Sequence, residues 1–363
     1  MLGPWLSDQI RARSLPKRLQ TLAAELQRPA LTRSYAIAGR CVLVKALDDW
    51  SARVAGAFLR DFHFQSSERA FNQSGRDVSY TIRIRSESPP PPIPDGLKDF
   101  EVAFGHCYVD GNTYYLHIED SLVVVGPGGT ELIDVWIGKS DHARGLLSLV
   151  NVMSYALDAA LRRCGLYQLH GAGVAPPKDG DAALILGKSG SGKSTLASIL
   201  AAGGWRYLTD DALLLAEFGE VVIARGIRKF FAASETTLKA SSLSDLSHAL
   251  GPPMRSDPSK RRLEPAEAFP QRFIESCTPR VLCFTAITGE AKSHVSSLRS
   301  SEAMTRLIRS NPWASYDKVT AREHLGLLNL LASQCRSFSL DAGSDILANP
   351  SCAADLLAPL LNI

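Results

Sequence analysis

No apolar run in the chain approaches the ~18 residues that a membrane-crossing helix needs, so no membrane partner is expected. The start, Met1 to Lys17, carries charges but no long apolar core, and no secretory leader is read there. Paired or clustered cysteine is also lacking. Cys41, Cys107, Cys164, Cys277, Cys283, Cys335 and Cys352 are odd in number, scattered and without C-x-x-C spacing. A disulfide framework is therefore not expected, and reduced thiols in a cytoplasmic protein are. Excess charge of one sign is missing too: 40 basic residues face 37 acidic ones, a net of +3. That balance argues against a dedicated nucleic-acid surface. No internal repeat is visible. What remains is a 363-residue chain that is 45% hydrophobic, enough for two domains or one large one.

One stretch organises the rest. Gly187-Lys188-Ser189-Gly190-Ser191-Gly192-Lys193-Ser194 reads G-x-x-x-x-G-K-S, the pattern of a phosphate-cradling loop. An apolar run, Ala182 to Leu186, precedes it with the length of a buried strand, and the Leu- and Ala-rich Thr195 to Ala202 follows as a helix. With glycine near 7% of residues, the pattern arises by chance in about one chain of this length in a hundred. The flanking strand and helix lower that further. Glycines let backbone N–H groups converge on phosphate oxygens at a helix N-terminus, where the dipole also favours anions. In such a loop Lys193 reaches the outer phosphates and the Ser194 hydroxyl holds a magnesium ion, with residues 187–195 forming the nucleotide cradle.

Before the loop, the first ~138 residues read as mostly β with a few helices. Leu15, Leu19, Leu22 and Leu26 place a short amphipathic helix over Ser14 to Arg28, and Ser51 to Phe62 is a second helical stretch. Strands are expected around a Gly39 turn (Tyr35 to Lys45), over Val78 to Arg85, over Val102 to Val109 and over Tyr114 to His117. Asp110-Gly111-Asn112 between the last two reads as a hairpin turn. Further strands cover Ser121 to Val125 and Leu132 to Ile137, and Pro89 to Pro92 make a stiff connection. A long helix is expected over Asp141 to Arg163, with Asp141 capping its start and Gly165 ending it. The boundary is placed just before it, giving domains 1–138 and 139–363. Leu166 to Ala175 is a strand leading through a turn to the loop.

Beyond the loop helix, Trp205 to Thr209 is a short strand ending in Asp210-Asp211, the latter 18 residues past Lys193. A hairpin turning at Phe218-Gly219 and the basic segment Arg225 to Lys229 follow, and residues Ser241 to Glu264 are polar, with Lys260-Arg261-Arg262 among them. Val281 to Ile287 and Phe338 to Leu340 read as strands, and Ser301 to Arg309, Ala321 to Cys335 and Ser351 to Leu361 as helices. No long apolar strand runs directly into an acid, as it does in many motor and transport ATPases. The acids opposite the loop are instead Asp210 and Asp211. Neighbours on an extended chain point to opposite sides, so one carboxylate can face a metal while the other faces an incoming hydroxyl. Two adjacent carboxylates also raise each other's cost of ionisation. Phosphoryl transfer needs mainly positioning, charge neutralisation and a base near the attacking oxygen.

His170-Gly171, then Gly187 to Ser194, then Tyr207-Leu208-Thr209-Asp210-Asp211 resemble the catalytic domain of HPr kinase/phosphorylase, which shares its core with phosphoenolpyruvate carboxykinases. The resemblance spans about residues 142–350 and is specific only over 170–211. It implies an α/β fold with a P-loop core and a mostly β (α+β) N-terminal domain. It further implies ATP and Mg2+, with Lys193 on the phosphates, Ser194 and Asp210 serving the metal, Asp211 taking the proton of a substrate hydroxyl, and His170 assisting it. The family's metal-binding glutamate beside an Arg-Gly pair has no counterpart: Val221-Val222-Ile223-Ala224 precede Arg225-Gly226, and Glu220 and Glu235 fall out of register. The better match is the group of HPr-kinase-like proteins that includes lasso-peptide kinases. This implies an acceptor that is a serine of a peptide or small protein. A small-molecule hydroxyl acceptor, or an ATP-binding regulator without transfer, are the alternatives, and the family allows a homo-oligomer.

Overall fold

The computed structural model describes residues 31–361 apart from 68–78, 87, 139, 142–145, 179–180, 239–242, 244–245, 247 and 255–256. The helix expected over Ser14 to Arg28 lies outside the described residues.

Alternating apolar and polar residues build a first sheet from β1 (Leu31–Ile37), β2 (Arg40–Ala46), β3 (Gln65–Ser67), β4 (Tyr80–Arg85), β5 (Lys98–Val102), β6 (Gly105–Asp110), β7 (Thr113–Ile118), β8 (Ser121–Val125) and β9 (Leu132–Trp136). Its order is β3-β1-β2-β4-β9-β8-β7-β6-β5. Only β2–β4 and β4–β9 pair parallel; the other neighbours are antiparallel. The run Val102 to Val109, expected as one strand, is two. The chain reverses at Ala103-Phe104, with Val102 opposite Gly105 and Phe104 at φ 69°. Nothing in the local composition announces that turn, because it carries an aromatic where glycine or asparagine is usual.

Helix α1 (Asp49–Leu59) starts at Asp48, whose carboxylate accepts from Ser51 N at 2.8 Å. Helix α2 (Leu146–Arg163) buries Leu149, Val152, Met153, Ala156, Leu157 and Ala160 at three- and four-residue steps. Burying each of Leu149, Val152, Met153 and Leu157 contributes roughly 1.5–3 kcal/mol. That stripe joins the core of the first sheet, and α2 also touches β10 (Tyr167–Ala175) of the second. Residues 142–145, which the expected Asp141 cap would hold, lie outside the described residues. Asp141 is buried and accepts from Asp120 N at 3.2 Å and the Ser121 hydroxyl at 2.5 Å, which ties down the start of β8.

The second sheet adds β11 (Ala182–Leu186), β12 (Arg206–Thr209), β13 (Ala212–Phe218), β14 (Val221–Gly226), β18 (Ser276–Cys277), β19 (Pro279–Ile287), β20 (His294–Leu298) and β21 (Arg336–Ala342). The order is β18-β14-β13-β10-β11-β19-β21-β20, with β12 also on β10. Here β11, β19 and β21 run parallel. Parallel neighbours need crossovers, and helix α3 (Lys193–Ala202) lies on the path from β11 to β19. Helices α4 (Ser300–Ser310), α5 (Trp313–Tyr316) and α6 (Ala321–Gln334) lie between β19 and β21. Because side chains alternate along a strand, Ala183, Ile185, Val281 and Cys283 join the core beneath α3, while Leu184, Leu186, Leu282 and Phe284 join the one beneath α4 and α6. The chain is a mixed α/β protein with both faces of this second sheet covered.

Two strands in the segment read only as polar, β16 (Leu250–Pro253) and β17 (Lys260–Leu263), join β15 (Phe231–Ser234) just before it in a small sheet ordered β15-β17-β16. The short strand β20 was not anticipated either. All seven cysteines are free, and among the described residues no helix is long and apolar enough to cross a membrane.

Candidate active site

The site forms where β10 meets three neighbours. Strands β12 and β13 pair along the same edge of β10, with Thr209 opposite Gly173 and Ala212 opposite His170. They are nearly one strand, interrupted at Asp210-Asp211. Gly171 N bonds Asp211 O at 2.9 Å across this break. On the other edge Gly171 faces Leu186, the last residue before the glycine loop. A Cβ on Gly171 would lie 2.6 Å from the Leu186 side chain and 2.9 Å from Ile185 O. Glycine beside His170 is therefore a packing requirement that brings the loop and the acid pair to the same place.

In the loop, Gly187 has φ 151° and Gly192 φ 92°. A Cβ on Gly187 would meet the Ser191 hydroxyl at 2.5 Å and Thr285 O at 2.6 Å. The Thr285 hydroxyl donates to Ser191 O at 3.3 Å, fastening the loop to β19. Lys193 opens α3, buried, with Nζ donating to Gly187 O and Lys188 O at 2.9 Å each. Lys188, Ser189 and Gly190 stand exposed at the tip. The Thr195 hydroxyl turns away to Thr237 Oγ1 at 2.7 Å.

Alternation sends the two acids apart. Asp210 is 0% exposed and accepts from Ala232 N of β15 at 2.8 Å through Oδ2. Its Oδ1 has no hydrogen-bond partner of good geometry, although the Ser194 hydroxyl lies near enough to favour the ionised carboxyl. Burial, and then the Asp211 charge, push the Asp210 carboxyl up to about 6. Asp211 emerges on the other side, with Oδ1 2.8 Å from His170 Nδ1 and Oδ2 on Arg228 Nη1. Burial opposes its charge, but Arg228, His170 and Lys193 overcome that and hold its carboxyl well below the usual range. The greater proton affinity thus falls on Asp210, and Asp211 stays ionised.

Lys193, Ser194, Asp210, Asp211 and His170 therefore form one cluster. Burial lowers the Lys193 pKa, Asp211 and Asp210 pull it back up, and Lys260 on β17 pushes it down again. Lys260 is itself paired to Asp257 at 3.1 Å. Its two neighbours turn elsewhere: Arg261 donates to Gly251 O at 3.0 Å, and Arg262 pairs with Glu264 and with Asp61 at 2.6 Å. Arg225 is engaged by the exposed Glu275 at 2.5 Å.

Arg228 is the member that motif reading did not assign; its only signal was the basic run 225–229. The first half of the chain fixes it. His63 N bonds Ile227 O at 2.8 Å, Lys229 N bonds Asp61 O at 2.9 Å, and Phe62 bridges Arg228 between them. A cavity of about 220 Å³ opens beside His170, Asp211 and Arg228.

No protein-family model matches the chain, and no curated protein matches it.

Proposed function

We propose that the chain is an ATP-dependent phosphotransferase with a P-loop core of the HPr kinase/phosphoenolpyruvate carboxykinase type, passing the γ-phosphoryl group of ATP to a serine hydroxyl of a peptide or small protein. The observation that carries this is the convergence of an ammonium and two carboxylates of unequal proton affinity on one strand junction. Lys193 feels both acids, Asp210 is buried on the loop side, and Asp211 faces the cavity. A protein that only bound nucleotide would have no use for an ionised carboxylate there.

Ser194 and Asp210 fit a magnesium ion, since Asp210 Oδ1 is a buried carboxylate oxygen with no partner beside a serine hydroxyl. Among the described residues no group of three or more His, Cys, Asp or Glu could hold a metal. That suits an ion that takes most of its ligands from phosphates and water. When bound, magnesium would neutralise charge on the β- and γ-phosphate oxygens.

In the reaction, Lys193 exchanges the carbonyls of Gly187 and Lys188 for phosphate oxygens. The acceptor hydroxyl donates to Asp211, its oxygen forms the new bond to the γ-phosphorus, and the bond from that phosphorus to the β,γ-bridging oxygen breaks, releasing ADP. The hydroxyl proton ends on Asp211. A loose transition state asks little of the base before bond formation, so a carboxylate kept ionised by Arg228 and His170 suffices. His170, 48% exposed at its side chain, orients Asp211 and offers a route for the proton to solvent.

The test compares ADP release and product mass for the intact chain with ATP, magnesium and serine peptides, wild type against Asp211→Asn. Transfer that is magnesium-dependent and lost in the variant is expected. Turnover at full rate in Asp211→Asn removes that residue from the base role, and nucleotide binding without any phosphorylated product removes the kinase.

A further inference from the structure

The cavity beside Asp211 is walled by α2, β10, the chain just before α5, and α6. At about 220 Å³ it is smaller than the roughly 300–1,000 Å³ of sites that hold drug-sized ligands, and it has the room of about seven waters at ~30 Å³ each. Its charges cancel in pairs. Asp211 lies on Arg228, and Arg162 lies on Asp158, with Asp317 at 3.4 Å behind it. Trp313 closes the wall under the Arg162 guanidinium, 4.4 Å from its ring centre.

One lining group lacks a partner. His324 of α6 is 2% exposed, its ring stacks on Tyr167 at 4.4 Å between centroids, and neither Nδ1 nor Nε2 makes a hydrogen bond. Burial, with Arg162 nearby outweighing Asp317, pushes its pKa down to about 4. A neutral imidazole presents one N–H and one lone pair. Leaving both unmade in the interior costs free energy that a ligand would recover. A neutral hydroxyl answers either half of that demand, accepting from the N–H or donating to the lone pair, and one whose proton goes to Asp211 still accepts from the N–H. A charged ligand would instead enter a recess whose charges are already matched.

We propose that this recess seats the phosphate acceptor, that it takes an uncharged hydroxyl-bearing group no larger than a side chain or small polyol, and that His324 is the residue that recognises it. This rests on the reading of Asp211 as the group facing the acceptor oxygen. The recess thereby sets specificity by neutrality and size, and the hydroxyl donated to Asp211 lies at its mouth.

The test uses the full chain and two probes: N-acetylserinamide, a serine side chain between peptide-like amides, and glycerol, a free polyol. Phosphoserine is the charged control. Histidine is isotopically labelled and the His324 ring followed by NMR, assigned by its loss in His324→Gln. At least one neutral probe is expected to shift the His324 signal saturably, and phosphoserine to leave it in place. A shift with N-acetylserinamide alone assigns the recess to a peptide side chain; a shift with glycerol alone assigns it to a small molecule. In the transfer assay His324→Phe keeps the stacked ring but removes both nitrogens, and should raise the acceptor KM about tenfold while the ATP KM moves less than about twofold. His324→Gln, which keeps a donor and an acceptor, should recover most of that loss. A His324 ring unmoved by both neutral probes overturns the proposal, as does an acceptor KM equal in wild type and His324→Phe. If His324→Phe does not fold, the titration of the wild-type ring decides alone. The two readings fail separately: a ring that responds in a chain that never consumes ATP defeats the kinase and leaves the recess standing, and transfer with an indifferent His324 does the reverse.

Discussion

On its loop side the cluster draws on one continuous stretch, Gly187 to Asp210, whereas its cavity side draws on α2, β10, Arg228 and α6. The first holds its charged groups close to their own segment: Lys193 donates to carbonyls of its own loop, and Asp210 is fully buried. The second keeps contact with water, with Asp211 23% and His170 48% exposed at their side chains. It also depends on the first half of the chain to set Arg228 through residues 61–63. The difference teaches a division of labour. Gripping phosphates needs a rigid backbone shape that a short segment supplies, and selecting an acceptor needs walls that meet from distant parts of the chain.

Under the proposed phosphotransfer, substitutions on the loop side should break function outright. Lys193→Ala removes the only charge the loop places at its own helix start, and turnover should drop by on the order of 10³, with nucleotide affinity falling alongside it in a binding titration. Loss of turnover with unchanged affinity would mean the two sides are less separate than they look. Asp211→Asn tests the cavity side: turnover should fall by about 10²–10⁴ while nucleotide affinity holds, as read by steady-state kinetics at fixed, saturating ATP.

Arg228→Met sharpens the comparison further. The guanidinium lowers the Asp211 pKa, so its removal raises that pKa, and the acidic limb of the kcat/KM profile should move to higher pH. At mildly acidic pH the loss should be about tenfold, shrinking towards neutrality. An acid limb that stays in place would show that Arg228 acts on the phosphate rather than on Asp211.

The smallest effect concerns stability. Asp210 binds its proton more tightly in the fold, at about 6, than its ordinary value of 3.8. Between those values the native state holds more protons than the unfolded chain, so this group's contribution falls as pH rises through that window. Asp210→Asn should therefore raise the melting temperature by a few degrees above pH ~6, corresponding to on the order of 2 kcal/mol, and do little near pH ~4. A variant no more stable at pH 8 than wild type would contradict the burial argument. The same substitution should abolish metal-dependent turnover, so the buried acid would be kept for function at a cost in stability.

The strands and helices flanking the loop were legible because their periodicity is local: Ala182 to Leu186, α3, α6 and the β13–β14 hairpin all lie where pattern places them. The turn at Ala103-Phe104 and the small sheet of β15, β16 and β17 were not, since one hides under an aromatic and two strands of the other lie in a polar, basic segment that is ordered by strand pairing rather than by its own periodicity. The glycine loop and Asp210-Asp211 could be named from motif and spacing, and His170 only from the family resemblance. Arg228 gave only a faint sign, and His324, 113 residues past Asp211, gave none.

The sequence by itself determined the phosphate-loop motif, the alternation that sends Asp210 and Asp211 to opposite sides, and the mixed α/β character. These rest on backbone rules that act within a few residues. Only the tertiary structure decided which acid binds its proton more tightly and which is held ionised, and what stands across from Asp211. Burial and the placement of Arg228, Arg162 and His324 are properties of packing between segments far apart in the chain, and no spacing rule records them.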